Sequence, residues 1–386
     1  MDFTALLTNR YTLVYLVILL TAIIVLSLYY GLTYMRVGRT KNKRATQILP
    51  PSDDRLPSVS IVMVTHNEAA YLKDSLPYLL EQDYPDYEVV MVDYLSHDDT
   101  PFVLKVCSEN YDNFKPVSFP EDVNMFQGKK YPLSIGIQSA KGDVILLTDP
   151  DCVPRSLTWV REMMKGYSVP GVKMVMSYAG IKQEKGLLNL FQQYDNLCDT
   201  ASWMSASLSG HPYTATGRNL SYRRDFFFAQ GAFCSHYSEP EGADDMFVNQ
   251  NANGSNSILS LESGGFVDME AKESFRQWRL LRRRRYATKR YYPTATKLRL
   301  ALHPIAMVLF YAAIATLLVQ GVCPWFIPTA LFVLTWTWQI VTFSRLTKRF
   351  EIKRVHFFAP LFEIYFLLSN TILFFLALSK KNIRCR

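Results

Sequence analysis

The residues best suited to chemistry lie at Asp149-Pro150-Asp151, directly after the apolar run Val144-Ile145-Leu146-Leu147. Side chains repeat every second residue along an extended backbone, so both carboxylates can point to one side. Hard oxygen ligands at that spacing suit Mg²⁺ or Mn²⁺, and such an ion can bridge phosphate oxygens. Asp-Pro-Asp is also good turn chemistry, and the fragment by itself does not separate the two readings. The elements around it do more to decide.

The run 144–147 reads as a fully buried strand of a parallel sheet, stopped by Pro154. Ligands bind at the carboxyl ends of such strands. Upstream, residues 59–64 read as a first strand ending in Thr65-His66-Asn67-Glu68, followed by a helix over 69–81. A second strand over 87–92 closes on Asp93. A helix over 103–110, a short strand over 117–119 and a helix over 131–140, after Gly128-Lys129-Lys130, complete the series. This alternation predicts an α/β, doubly wound and mostly parallel sheet. Right-handed crossovers then bring the loops at Thr65, Asp93 and Asp149 to one edge.

The flanking sequence belongs to a membrane. Of the 386 residues, 49% are hydrophobic, and they concentrate in runs 13–30, 305–320, 325–343 and 357–378, the last with Glu363 as its single charge. Each is about as long as a helix needs to cross a hydrocarbon core of roughly 30 Å. The first run is too long for a cleaved leader, and no small-residue cleavage site precedes Arg36. The net charge of +8 clusters beside these runs: Arg36, Arg39, Lys41, Lys43 and Arg44; the stretch 276–290; and Arg345, Lys348, Arg349, Lys353 and Arg354. The positive-inside rule then places the domain at 58–292 on the cytosolic face of the membrane, in a multi-pass chain. Residues 1–35 form an N-terminal span, 36–57 a basic, Pro-rich linker, and 293–386 a region of two or three spans. Juxtamembrane cations favour anionic lipid, not nucleic acid, as partner. Lys380, Lys381, Arg384 and Arg386 break the rule if all four runs cross, unless the last, with Pro360, Glu363 and Asn370, is re-entrant. No intramembrane polar site shared between the spans is expected. The six cysteines show neither paired nor metal-ligand spacing and read as reduced thiols.

The stretches 59–68, 89–100, 128–140 and 142–154 resemble, in order, the successive motifs of inverting family 2 glycosyltransferases with the GT-A fold. The resemblance continues at Gly217-Arg218-Asn219, at Gly242-Ala243-Asp244-Asp245 and at Arg282-Arg283-Arg284-Arg285-Tyr286. It implies roles residue by residue. Asp93 would contact the nucleotide base, with Thr65 and Glu68 on the same nucleotide-side loop. Lys129 would lie near the diphosphate. Asp149 would face the sugar and ribose, and Asp151 would bind the metal, Mg²⁺ or Mn²⁺. Asp245 would be the catalytic base, with Asp244 as its acidic neighbour. Arg282, Arg285 and Tyr286 would close over the diphosphate and line the acceptor entrance. Gly217, Arg218 and Asn219 would wall the acceptor site.

The chemistry agrees with these roles. Inverting transfer needs a carboxylate to take the acceptor hydroxyl's proton. Paired carboxylates can push one pKa toward the working range. The leaving diphosphate needs a metal and Arg or Lys.

The chain also departs from the family pattern. Asp93-Tyr94-Leu95-Ser96 stands where the family has Asp-Asp-Gly-Ser, which puts the base pocket in question, and Tyr286 replaces a tryptophan. Bland readings stand beside the sharp ones. Asp93 could cap a turn, Lys130 could replace Lys129, and Trp159, Trp203 and Trp278 read as packing residues. Residues 187–203 form an amphipathic helix, either on the membrane surface or over the acceptor cleft. The expected activity is transfer from a nucleotide sugar, a UDP-sugar by resemblance, to a lipid-linked or polysaccharide acceptor. A processive polysaccharide synthase and a degenerate, membrane-anchored nucleotide-sugar-binding protein are the alternatives.

Overall fold

A computed structural model describes residues 10–40, 56–119, 128–237, 239, 242–321 and 323–378. The expectations for most of the linker, for Lys41, Lys43 and Arg44, and for the basic tail from Lys380 to Arg386 fall outside these residues. The described chain divides into two units. One holds the N-terminal residues to Thr40, Gln193–Ser205 and the residues from Tyr292 on; the other holds the rest.

The chain enters through helix α1 (Arg10–Tyr29), which continues through a π turn at Tyr30–Met35 and a last turn at Arg36–Arg39. The second unit then alternates: β1 (Val59–Thr65), α2 (Ala69–Leu80), β2 (Tyr87–Asp93), α3 (Thr100–Asn110), β3 (Phe114–Ser118), α4 (Lys130–Ser139) and β4 (Val144–Leu147). These four strands lie side by side in the order β3-β2-β1-β4 and all run parallel. β1, β2 and β4 are rich in Val, Ile and Leu because helices or other strands cover both faces. β3 includes Pro116, tolerated because β3 is the edge strand and a missing N–H costs nothing there. That proline hides the strand's true start in the sequence.

The rest of the unit comprises β5 (Cys152–Pro154), α5 (Trp159–Met164), β6 (Met174–Met176), β7 (Ala179–Ile181), α6 (Leu187–Leu208), β8 (Leu220–Arg223), α7 (Arg224–Ala229), α8 (Ala243–Asn251), β9 (Ser257–Leu259), β10 (Val267–Met269) and α9 (Phe275–Thr288). β8 runs antiparallel between β4 and β6, and β9 extends the sheet parallel to β6. The sheet is therefore mixed but mostly parallel, as expected. A second sheet, β5-β10-β7, sits beyond the carboxyl end of β4. Ile61, Met63, Leu72, Leu76, Trp159 and Val175 are central members of one continuous buried core.

The first unit contains α10 (Thr294–Gln320), α11 (Phe326–Arg349) and α12 (Val355–Leu378) besides α1. Among the described residues, four helices are long and apolar enough to cross a membrane. Their outward residues are bare hydrocarbon: Val17, Ile24, Val333 and Leu368 are all more than half exposed, which suits lipid and not water. α12 is one unbroken helix despite Pro360. Gly38 lets α1 approach α11 closely; a Cβ there would lie 2.8 Å from the Arg345 carbonyl carbon.

The expectation that these spans share no polar site is corrected. Glu363 of α12 receives the Tyr30 hydroxyl of α1 at 2.8 Å and the Gln339 amide of α11 at 2.5 Å. His303 Nε2 of α10 stands 2.8 Å from its other oxygen, and the Tyr29 ring stacks on that imidazole at 4.3 Å. A carboxylate among apolar helices must find partners, and here each of the other three helices supplies one. The middle of α6 also belongs to this unit: Tyr194 stacks on Phe343 at 5.4 Å, and Ser205 donates to the Leu32 carbonyl at 2.8 Å. The apolar stripe of α6 is thus divided: Tyr194 packs on Phe343 within this unit, and Phe191 packs on Phe275 and Trp278 of α9 within the other.

Candidate active site

Strand register brings the candidate residues to one edge. Thr65 and Asp93 are direct partners at the ends of β1 and β2, and β4 ends at Leu147, opposite Val62. The two loops are stitched together by polar residues. Asn67 N donates to Ser96 Oγ at 2.9 Å, His97 N to Asn67 Oδ1 at 2.8 Å, and Glu68 N to Thr100 Oγ1 at 3.1 Å. Thr65 is fully buried at this edge. Asp93 Oδ1 accepts from Ser96 N at 3.2 Å, so this carboxylate does cap its turn. Leu95, where the family has glycine, adopts φ 54°, the left-handed region that glycine favours. Holding a leucine there costs roughly 1–2 kcal/mol.

Glu68 faces the Asp149 and Asp151 carboxylates. Burial, and then those two negative charges, push its carboxyl up to about 7. Asp149 responds the other way. Burial alone would raise it, but the Lys129 and Arg218 charges outweigh burial and hold it at about 2.

The contacts explain this. Lys129 Nζ lies 2.8 Å from Asp149 Oδ1, Arg218 Nε lies 3.3 Å from Asp149 Oδ2 and 3.6 Å from Asp151 Oδ1, and Lys272 Nζ lies 3.1 Å from Asp151 Oδ2. Asp244 adds a third negative charge that acts on Lys129 and Arg218. It is held by the Gly217 N–H at 2.9 Å, and a Cβ on Gly217 would lie 2.1 Å from its carboxylate. Only glycine permits that approach. Asp245, the next residue of α8, accepts a short hydrogen bond from Thr288 at the end of α9.

Some expected positions move. Asn219 is not an acceptor wall: it is fully buried, donates to the Tyr178 and Gly265 carbonyls at 2.8 Å each, and accepts from Trp159 Nε1 at 3.1 Å. Its amide satisfies core groups that would otherwise be orphaned. Arg218 leaves the acceptor wall for the two carboxylates of the Asp149–Asp151 turn. Arg282 is 1% exposed, with its guanidinium 5.1 Å from the Trp278 ring centroid, so it is packed inside α9's buried face and not presented to a ligand. Arg285, three residues on, is half-buried, and the Tyr286 ring carries Lys289 Nζ at 4.0 Å. Lys130 is spent on the His236 and Glu239 carbonyls, which leaves Lys129 as the lysine on Asp149. Trp159, Trp203 and Trp278 are buried packing residues. Sequence reasoning missed Lys272 and Thr288. Neither falls in a motif, and Lys272, set between Glu270 and Glu273, reads in the sequence as an ordinary surface lysine.

Asp149 and Asp151 fit a hard divalent ion. One guanidinium nitrogen reaches both, so their oxygens converge, and they are the ligand type such an ion prefers. Among the described residues no group of three His, Cys, Asp or Glu side chains surrounds a common point. The remaining ligands would be phosphate oxygens and water, the usual arrangement for Mg²⁺ beside a nucleotide.

This architecture is the GT-A fold: a mostly parallel sheet, paired aspartates after a central strand and a further carboxylate pair at a helix start. The family described as glycosyl transferase family 2 matches residues 60–229, and the chain carries a domain of that family. The chain is 29% identical over 183 residues to glycosyltransferase AglE of Haloferax volcanii, covering 47% of this chain and 57% of that one. It is 25% identical over 132 residues to a poly-beta-1,6-N-acetyl-D-glucosamine synthase of Staphylococcus epidermidis, covering 34% of this chain and 31% of that one. The chain thus spans about half or less of the length of these curated relatives. Among solved structures, mannosyltransferase PcManGT from Pyrobaculum calidifontis, in complex with GDP-Man and Mn²⁺, superposes with a TM-score of 0.57 at 20% identity, covering 94% of this chain and 100% of that one. At that identity the likeness is one of fold.

Proposed function

We propose that the chain is a membrane-bound inverting glycosyltransferase. It moves a sugar from a nucleotide-sugar donor, a UDP-sugar in the simplest case, to a lipid-linked or polysaccharide acceptor at the cytosolic face of the membrane. The observation that supports this most is the cluster of Asp149, Asp151 and Asp244 with Lys129, Arg218 and Lys272 at the carboxyl edge of the sheet. Such a mixed site accepts a diphosphate and releases it again.

In this reading Thr65, Glu68 and Asp93 border the nucleoside, and Asp149 meets the ribose and sugar. Lys129, Arg218 and Arg285 offset the diphosphate charge. Asp151 and Asp149 would hold Mg²⁺ or Mn²⁺, which supplies charge neutralisation at the leaving group. Asp245, oriented by Thr288, takes the proton from the acceptor hydroxyl as its oxygen bonds to the anomeric carbon. The bond from that carbon to the diphosphate breaks, and the nucleoside diphosphate leaves with the electron pair. Gly217 fixes Asp244 beside the base, and Tyr286 borders the acceptor.

The donor is found by screening uridine, guanosine and thymidine diphosphate sugars with Mn²⁺ and Mg²⁺ in detergent. Metal-dependent release of nucleoside diphosphate from one donor, lost in Asp151→Asn, is expected. Equal release by that variant would contradict the assignment. A processive synthase is a second reading, favoured by the similarity to the polysaccharide synthase; long polymer formed from donor alone would establish it.

A further inference from the structure

Lys272 is a strong charge on Asp151 that no motif accounts for. Its backbone is anchored on three sides. β10 pairs antiparallel with β5, with Met269 opposite Cys152, and Glu270 N donates to the Asp151 carbonyl at 2.9 Å. The Gln192 side-chain amide then clamps Lys272 itself, donating to its carbonyl and accepting from its N–H at 2.8 Å each. Glu270 is further tied to Lys182 at 2.6 Å. The backbone is therefore built into the same frame as the aspartate turn. The side chain is a flexible four-carbon arm, still 27% exposed.

Asp149, Asp151 and Asp244 are met by three protein cations, Lys129, Arg218 and Lys272, with the Glu68 carboxyl also facing the first two. A divalent cation arriving at Asp151 meets the Lys272 ammonium on the same carboxylate. Two cations that close repel strongly in a partly buried site, so one must give way, and the arm is the part that can move.

We propose that Lys272 is the resident counter-ion of Asp151: it competes with the divalent metal, sets the metal affinity, and is displaced when the metal binds. This rests on the reading of Asp151 as a metal ligand. Displacement frees the ammonium for the diphosphate that arrives with the metal. The pocket thereby avoids holding three uncompensated carboxylates when no donor is present.

The test is Mn²⁺ binding by the full-length chain in detergent without any nucleotide, followed by the electron paramagnetic resonance of free Mn²⁺. Wild type, Lys272→Met, Lys272→Arg and Asp151→Asn are compared, with thermal melts to establish that each is folded. Lys272→Met should bind Mn²⁺ about tenfold more tightly, the scale of losing one charge-assisted hydrogen bond to the carboxylate. Lys272→Arg should stay close to wild type, and Asp151→Asn should lose the site. Unchanged or weaker binding by Lys272→Met, with binding still lost in Asp151→Asn, would overturn the competition alone. Equal affinity in all four chains, or Mn²⁺ binding in none, would remove the Asp151 metal site and the competition with it.

Discussion

Glu68 shows how far the site's electrostatics reach. Burial and the Asp149 and Asp151 charges raise its carboxyl from an ordinary 4.5 to about 7. The folded state therefore holds this proton more tightly than the unfolded chain does. The resulting stability is fully present below about pH 4.5 and is lost as pH rises to about 7. In Glu68→Gln that contribution cannot titrate. Denaturant unfolding at pH 4.5, 6 and 7.5 should show wild type losing stability relative to the variant as pH rises. A constant difference between the two chains would contradict the shift. At this scale the sequence was readable where residues sit in spaced pairs: Asp149 with Asp151, and Asp244 with Asp245. It was unreadable for Lys272 and Thr288, whose partners are 121 and 43 residues away. Asn219 was misplaced because a motif position does not say which way an amide points, and Arg282 because alternate faces of α9 differ in burial.

At the scale of elements, periodicity made the strands and helices legible and left their destinations open. The apolar stripe of residues 187–203 identified α6, but what it packs on depends on Tyr194, Phe343, Phe362 and Phe366, brought together from three helices. The polar cluster of the spans was equally hidden, since Tyr30 and Glu363 are 333 residues apart. It makes a testable claim about assembly. Glu363→Ala strands Tyr30 and Gln339 without their common acceptor in an apolar bundle and removes the carboxylate beside His303. Interhelical polar contacts of this kind are worth about 1–2 kcal/mol each at most. Glu363→Ala should therefore unfold at a clearly lower temperature in detergent, and Glu363→Gln, which keeps an acceptor, should fall between it and wild type. Identical melting of all three chains would show that the cluster does not hold the helices.

At the scale of the whole molecule, the alternation of β1 to β4 with their helices fixed a parallel sheet, and crossover handedness then predicted which loop ends share an edge. The register of Thr65 against Asp93 realises that prediction. β8 departs from it because an antiparallel strand leaves no mark in an alternating pattern. The same convergence carries the account of function. If Asp245 is the base, its loss must affect proton removal and leave donor binding intact. The decisive measurement is sugar transfer by Asp245→Asn, at saturating donor, beside the donor's dissociation constant for the same variant. The account predicts a fall in kcat of at least about a hundredfold, the lower range for a general base, with donor affinity unchanged. Transfer within a few-fold of wild type would mean that the proton leaves by another route and that Asp245 is not the base.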